Sequence, residues 1–217
     1  MASSEESACD RKESVTGIIL AAGLSTRMGR QKLLIQIRGI PVIARVVQAA
    51  LSSRLNNVLL VTGPGNSELL QALKPDDTER LLIVVNDHPE EGMSSSLKAG
   101  MMKIPEETLG VMIILGDQPF LTSAIVNRLL DEFKKRADRI VAPLVEGRRS
   151  NPVIFPADLF QDLTMITGDM GGKAVLEGNS ARLVGIGMDD YYDDTDLDTP
   201  EDLQRIKSLS LNEIIPS

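Results

Sequence analysis

The feature that most constrains this 217-residue chain is a rhythm in its apolar residues. Short uninterrupted apolar runs at Val15–Ala22, Val58–Thr62, Leu81–Val85 and Val111–Leu115 are separated by segments of helical periodicity. A strand wetted on one face alternates apolar and polar residues. An uninterrupted run belongs to a strand buried on both faces, the situation of a parallel sheet covered by helices on each side. Val42, Ile43, Val46, Val47, Ala50 and Leu51 share one helical face behind Pro41, which suits a first turn. Ile125, Leu129, Leu130 and Phe133 repeat the pattern after a candidate N-cap at Thr122 or Ser123. The expectation is an α/β protein with a Rossmann-like, doubly wound, mostly parallel sheet. With no Trp, two Tyr and four Phe, its core is aliphatic.

The length suits one domain. Residues 1–14 are polar and aperiodic and read as a disordered tail, leaving 15–208 as a single domain. Beyond Ile140 the pattern loosens into Ile140–Pro143, a turn at Glu146 and Gly147, Asn151–Phe155 and a glycine-rich stretch at Gly168–Gly172. Residues of about 144–180 are therefore expected to form a subregion for a second substrate. A strand at Leu183–Ile186, an acidic loop and a helix from Pro200 close the chain.

The net charge of −8 disfavours both nucleic acid and an anionic membrane surface as partners. An anionic substrate needs a local cationic cluster, and Arg27, Arg30, Lys32 and Arg38 supply one. Cys9, the only cysteine, excludes an intramolecular disulfide and a cysteine-based metal site. The expected setting is cytoplasmic: no apolar run approaches the roughly 20 residues that span a bilayer, and the N-terminus lacks a signal-peptide pattern.

The strongest chemical signal is the run Gly17-Ile-Ile-Leu20-Ala21-Ala22-Gly23-Leu-Ser25-Thr26-Arg27-Met-Gly29-Arg-Gln-Lys32. A buried strand enters a loop whose glycines allow close backbone approach and whose N–H groups can face an anion. Backbone amides with Ser25 or Thr26 suit phosphate oxygens, Arg27 suits a leaving pyrophosphate, and Lys32 suits an α-phosphate where transition-state charge builds. The spacing is not that of a Walker loop. Gly63-Pro64-Gly65 has Glu68 where a dinucleotide fingerprint needs its third glycine, and reads as a turn.

Gly116-Asp117-Gln118-Pro119 ends an apolar strand in a tight turn, where Asp117 suits one carboxylate of a magnesium site or, equally, an Asx turn. Asp196 and Asp198, two apart in the acidic loop, suit a second carboxylate or a solvated acidic loop. Thr199 with Glu201 and Asp202 reads as a helix start. Ser94, Ser95 and Ser96 open a helix after Leu81–Val85 and can read a base edge or ribose. His88, the only histidine, has no assigned role. Arg148-Arg149-Ser150-Asn151 and Gly168-Asp-Met-Gly171-Gly172-Lys173 can hold a second anionic substrate.

As a set, Leu20-Ala-Ala-Gly23, Arg27-Met-Gly29, Lys32, Gly116-Asp-Gln-Pro119, Asn151-Pro-Val-Ile-Phe155, Gly168-Asp-Met-Gly-Gly-Lys173 and Asp196-Leu-Asp-Thr-Pro-Glu201 resemble the molybdenum cofactor nucleotidyltransferases of the MobA-like family over residues 16–206. Ala22 makes the first loop more similar to the CTP:molybdopterin cytidylyltransferase branch than to the guanylyl-transferring one. The resemblance implies a nucleotide-diphosphosugar transferase type of fold, with CTP and molybdopterin as substrates and magnesium, or manganese in its place, as cofactor. It implies transient contact with a molybdoenzyme or its maturation chaperone. Leu20, Ala21, Ala22, Gly23, Ser25, Thr26, Arg27, Lys32, Ser96 and Asp117 are then nucleotide-binding, with Arg27 and Lys32 catalytic. Asp117 with Asp196 or Asp198 holds metal, and Gln118, Arg149, Asn151, Gly171, Gly172 and Lys173 bind the acceptor. The alternatives are guanylyl transfer, a sugar-phosphate acceptor, or a non-catalytic nucleotide-binding chaperone of a molybdoenzyme.

Overall fold

The computed structural model describes residues 14–23, 32–73, 79–168, 171–190, 192–197 and 199–208. The polar N-terminus through residue 13, together with Ser25, Thr26, Arg27, Arg30 and Asp198, lies outside them. At the centre is β1 (Val15–Ala21), all seven residues of which are buried. Its even and odd side chains enter two different cores, as a two-sided strand requires.

From β1 the chain passes through a small ribbon, β2 (Gln36–Ile37) and β3 (Ile40–Pro41), into α1 (Val42–Leu51). Next come β4 (Asn57–Thr62), α2 (Ser67–Leu73), β5 (Leu81–Val85), α3 (Met93–Met101) and β6 (Gly110–Leu115). Then follow α4 (Ser123–Lys135), β7 (Ile140–Val145), β8 (Arg148–Arg149), β9 (Val153–Pro156), α5 (Phe160–Met165), α6 (Lys173–Gly178), β10 (Leu183–Gly187) and α7 (Pro200–Ser208). The main sheet runs β10-β7-β9-β6-β1-β4-β5, with β8 paired to β7. Pairings β1–β4, β1–β6, β4–β5 and β7–β10 are parallel.

Ile19 and Ala21 face α1 and α4, packing with Val46, Val47, Leu129 and Phe133. Ile18 and Leu20 face the opposite side, with Leu97 and Met101 of α3, Leu163 of α5 and Val175 of α6. The doubly wound α/β architecture expected from the apolar rhythm is therefore present. The Thr122 side chain accepts the Ile125 N–H at 3.3 Å and caps α4. Thr199 and Asp202 close a reciprocal capping box at the start of α7, with Asp202 N donating to Thr199 Oγ1 at 3.1 Å and Thr199 N to Asp202 Oδ2 at 2.8 Å.

One strand departs from the parallel scheme. β9 lies between β6 and β7 and is antiparallel to both. The β7–β8 hairpin starts this reversal: Glu146 and Gly147 are its two loop residues, with φ of 51° and 71°, the paired positive values of a turn that follows strand twist. Part of the region of about 144–180, expected as an acceptor-side subregion of the single domain, belongs to the main sheet.

The C-terminal segment returns to the same end of the sheet. Leu197 is buried with Ile37, Val42, Phe120 and Ile206, and its N–H reaches the Asp117 carbonyl at 3.2 Å. Tyr192 is buried with Met188 in the α1–α4 core. No helix among the described residues is long and apolar enough to cross a membrane.

Two predictions follow from this packing. Ala is favoured over Gly in a helix by about 1 kcal/mol. At Gly100 of α3, however, a Cβ would sit 2.7 Å from Ile18 Cγ2 and 3.2 Å from Val61 Cγ2, both on stiff β-branched side chains in the sheet. Overpacking of this kind costs about 1–3 kcal/mol, so Gly100→Ala should lower stability in urea unfolding, whereas a gain would show that α3 yields easily. The Tyr192 hydroxyl has no hydrogen-bond partner among the described residues, and burial, followed by the carboxylates of Asp196, Asp194, Asp193 and Asp117, holds its pKa well above the usual value. Above about pH 10 the unfolded chain therefore loses a proton that the folded chain keeps, and stability falls as pH rises. Tyr192→Phe should remove that part of the alkaline loss, measured by denaturant unfolding at pH 8 and pH 11. Equal losses in both proteins would contradict it.

Candidate active site

The strand order changes direction at β1: the chain proceeds outward through β4 and β5, then returns to place β6 on the other side. In open α/β sheets such a switch point opens a crevice at the carboxyl ends of the strands. Here a cleft of about 420 Å³ lies at that end, lined by Leu20, Ala21, Ala22 and Gly23 after β1, by Lys32 and Leu33, by Leu115 and Asp117 after β6, and by Pro89, Glu90, Gly92, Met93 and Ser96 before and within α3.

Two side chains meet across the cleft floor. The Lys32 Nζ donates to Asp117 Oδ2 at 2.5 Å, with the two side chains 22% and 15% exposed. Asp117 is set by its neighbour: a Cβ on Gly116 would lie 3.0 Å from the Leu20 carbonyl oxygen and 3.2 Å from Ile43 Cδ1. Glycine lets this turn press onto β1 without displacing its neighbours, and Gly116 N donates to Leu20 O at 3.1 Å. Lys32 opens a short 3₁₀ turn whose Leu33 is buried in the core. The pair is thus a cation and a carboxylate held at the mouths of adjacent parallel strands. In a partly buried setting each charge depends on the other or on a ligand replacing it.

Asp196 precedes Leu197, whose N–H reaches the Asp117 carbonyl, and is not among the residues that line the cleft. Asp193 has structural duties, with Oδ1 accepting the Thr195 N–H at 2.9 Å and Oδ2 lying 3.7 Å from Arg205 Nη2. Among the described residues no group of three or more His, Cys, Asp or Glu forms a metal cage. A single carboxylate such as Asp117 nevertheless suits a hard cation, because magnesium is commonly held by one or two carboxylates plus phosphate oxygens and water.

The wall opposite Lys32 comes from the loop after β5. Pro89–Glu91 form a single 3₁₀ turn, and Gly92, at φ 90°, redirects the chain into α3. Ser94, Ser95 and Ser96 are all buried, and Ser96 lines the cleft. His88 is exposed, its Nδ1 3.3 Å from Glu90 Oε1. The Gly63-Pro64-Gly65 stretch, read above only as a turn, lines an adjoining hollow of about 190 Å³ together with Thr62, Asn66 and the Ala21–Gly23 loop. Its position after a strand at the same sheet end is the signal that could have marked it.

None of the residues expected to hold an acceptor lines the cleft itself. Gln118, next to Asp117, is buried and its Oε1 has no partner among the described residues. Arg149 is in β8, Asn151 precedes β9, and Lys173 is exposed, 3.8 Å from Glu177. A Cβ on Gly172 would meet Phe155 and Ile113 at 2.9 and 3.0 Å, so packing alone accounts for that glycine. Gly171 touches the cleft indirectly: a Cβ there would lie 2.6 Å from the Sδ of Met93, a cleft-lining residue.

A larger cavity, about 730 Å³, lies on the outer side of α1 near Pro119–Ser123. Arg45 is the only charged residue lining it among the described residues, its guanidinium pushed below its usual pKa by burial and by Arg38. Chemistry favours the smaller cleft, which joins a cation, a carboxylate and a glycine loop.

Residues 17–184 match the model of the MobA-like NTP transferase domain. The purine catabolism protein PucB of Bacillus subtilis is 28% identical, over 91% of this chain and 98% of its own length. Nicotine blue oxidoreductase of Paenarthrobacter nicotinovorans is 29% identical over 88% and 96%, and molybdenum cofactor cytidylyltransferase of Escherichia coli is 26% identical over 85% and 91%. Among solved structures, a homolog of Mycobacterium tuberculosis Rv0371c from Mycobacterium sp. strain JC1 superposes with a TM-score of 0.78 at 28% identity, covering 89% of this chain and 95% of that one. Rv0371c itself, in complex with manganese, gives 0.74 at 23% identity, covering 90% and 98%. The chain belongs to the MobA-like NTP transferase family and is a nucleotidyltransferase.

Proposed function

We propose that the protein transfers CMP from CTP to the terminal phosphate of molybdopterin, forming molybdopterin cytosine dinucleotide and releasing pyrophosphate. The observation that carries the phosphate chemistry is the Lys32–Asp117 contact on the floor of a cleft at the sheet's switch point. The choice of cytosine and molybdopterin is supported by the Ala22-containing first loop and by the similarity to the Escherichia coli cytidylyltransferase.

In this reading a terminal phosphate oxygen of the acceptor attacks the α-phosphorus of CTP in line. The bond from that phosphorus to the bridging oxygen of the β-phosphate breaks, and its electron pair leaves with pyrophosphate. The attacking phosphate is already an anion, so no general base is needed, and catalysis consists of alignment and charge neutralisation. The Ala21–Gly23 backbone cradles phosphate oxygens. Lys32 leaves Asp117 to meet the α-phosphate, and Arg27 holds the departing pyrophosphate. Asp117, with Asp196 or Asp198, would hold magnesium or manganese, which when bound supplies charge neutralisation for the phosphates. Gln118, Arg149, Asn151, Gly171, Gly172 and Lys173 are proposed to shape the acceptor side, with transient contact to a molybdoenzyme or its maturation chaperone during delivery.

Pyrophosphate release, measured with each of CTP, GTP, ATP and UTP, with and without molybdenum-loaded molybdopterin, tests the proposal. Release requiring both CTP and molybdopterin is expected. Release with another triphosphate or a sugar phosphate would overturn the substrate assignment, and tight CTP binding without release under any condition would favour a non-catalytic chaperone. Removing a group that stabilises transition-state charge typically costs 10²–10³ in kcat, so Lys32→Ala should lose about that much while retaining a cooperative thermal transition. Wild-type turnover in this variant would contradict the role given to Lys32.

A further inference from the structure

Asn86 follows β5 and is 5% exposed, and its amide has only one workable orientation. Its Oδ1 accepts the backbone N–H of His88 at 3.0 Å. A backbone N–H can meet only the oxygen, so Nδ2 must face the other way. There it donates to Ser95 Oγ at 2.8 Å and to Ser96 Oγ at 3.0 Å, committing both amide hydrogens. Ser95 then passes its own proton to the carbonyl oxygen of His88 or of Gly92, each 2.8 Å away. Ser96 receives the second hydrogen, and no described residue accepts the Ser96 proton. Ser96 is nearly buried, and the space it borders is the cleft.

We propose that Asn86 is a positioning residue that makes Ser96 a directed hydrogen-bond donor toward the nucleobase. The base atom seated against Ser96 is consequently an acceptor, as the 2-carbonyl oxygen and N3 of cytosine are. The inference rests on reading the cleft as the nucleotide site. Around Ser96 the wall is formed by Pro89, Gly92 and Met93, an apolar stretch suited to a base face, with Glu90 the one carboxylate on it and the Lys32–Asp117 pair at the β1–β6 side. A hydroxyl that already accepts a hydrogen bond is polarised to donate a stronger one. A freely rotating serine would accept or donate equally well. Here the buried amide removes that choice and contributes to base selection from behind, without touching the ligand.

Asn86→Asp separates this role from simple support. The carboxylate keeps the shape and still accepts the His88 N–H, but it has no hydrogens to give and draws the Ser96 proton onto itself. Binding of a CTP analogue with a methylene group between its α- and β-phosphates would be measured with magnesium for the wild type, Asn86→Asp, Ser96→Ala and the double variant, alongside KM and kcat for CTP. Each single change should weaken binding about tenfold, with the loss falling on KM rather than kcat, because a base contact is equal in ground and transition states. The double variant should bind no more weakly than the weaker single one. Losses that multiply, or wild-type affinity in either single variant, would overturn the proposal. If thermal unfolding shows that the Asp variant does not fold, Asn86→Ala replaces it in the same cycle and is read the same way. A wild type that binds no nucleoside triphosphate would instead overturn the nucleotide reading itself.

Discussion

The site depends on the parallel adjacency of β1 and β6. Because the two strands run the same way in register, with Leu20 beside Leu115, their following loops open at one edge of the sheet. Gly116 then brings the second loop down onto the first, and Lys32 and Asp117 meet. Everything outside this contact serves to hold it in place. Two helical layers fix β1 from both faces, and the C-terminal segment is pinned to the Asp117 turn through Leu197.

The contact also addresses an electrostatic problem. A nucleotidyltransferase with net charge −8 must draw in an anionic nucleoside triphosphate, so attraction has to be local. In the proposed reading the Lys32 ammonium, which contacts Asp117, moves to the phosphate, and the carboxylate it leaves would hold a divalent cation. A partly buried ion pair suits such an exchange, since it contributes little net stability while intact and leaves each partner in need of a counter-charge when opened.

Much of this was legible in the residues because burial on both faces leaves a direct mark on sequence. The uninterrupted run at Val15–Ala22 indicated a central strand, the apolar run ending in Gly116-Asp117 indicated a loop at the carboxyl edge, and the Thr122 and Thr199 caps indicated where helices begin. Strand direction is not marked in this way. Val153–Pro156 is as fully buried as a parallel strand, and only the Glu146–Gly147 hairpin before it signals the reversal. At Gly171 and Gly172 a loop signal does not separate close approach to a ligand from close approach to Met93 or Phe155, and it is the packing on Met93 and Phe155 that the folded chain adds. Asn86 went unnoticed for a related reason: one Asn after a strand reads as a turn residue, and its value lies in three hydrogen bonds that only the folded chain assembles.

The central claim is that Asp117 exchanges an ammonium for a metal-bound triphosphate. Calorimetric titration of the methylene analogue of CTP into the wild type and Asp117→Asn, with magnesium and with chelator, tests it directly. The account predicts that magnesium tightens binding at least tenfold in the wild type and that most of this gain vanishes in Asp117→Asn. Binding indifferent to magnesium in the wild type, or an undiminished magnesium effect in the variant, would contradict it.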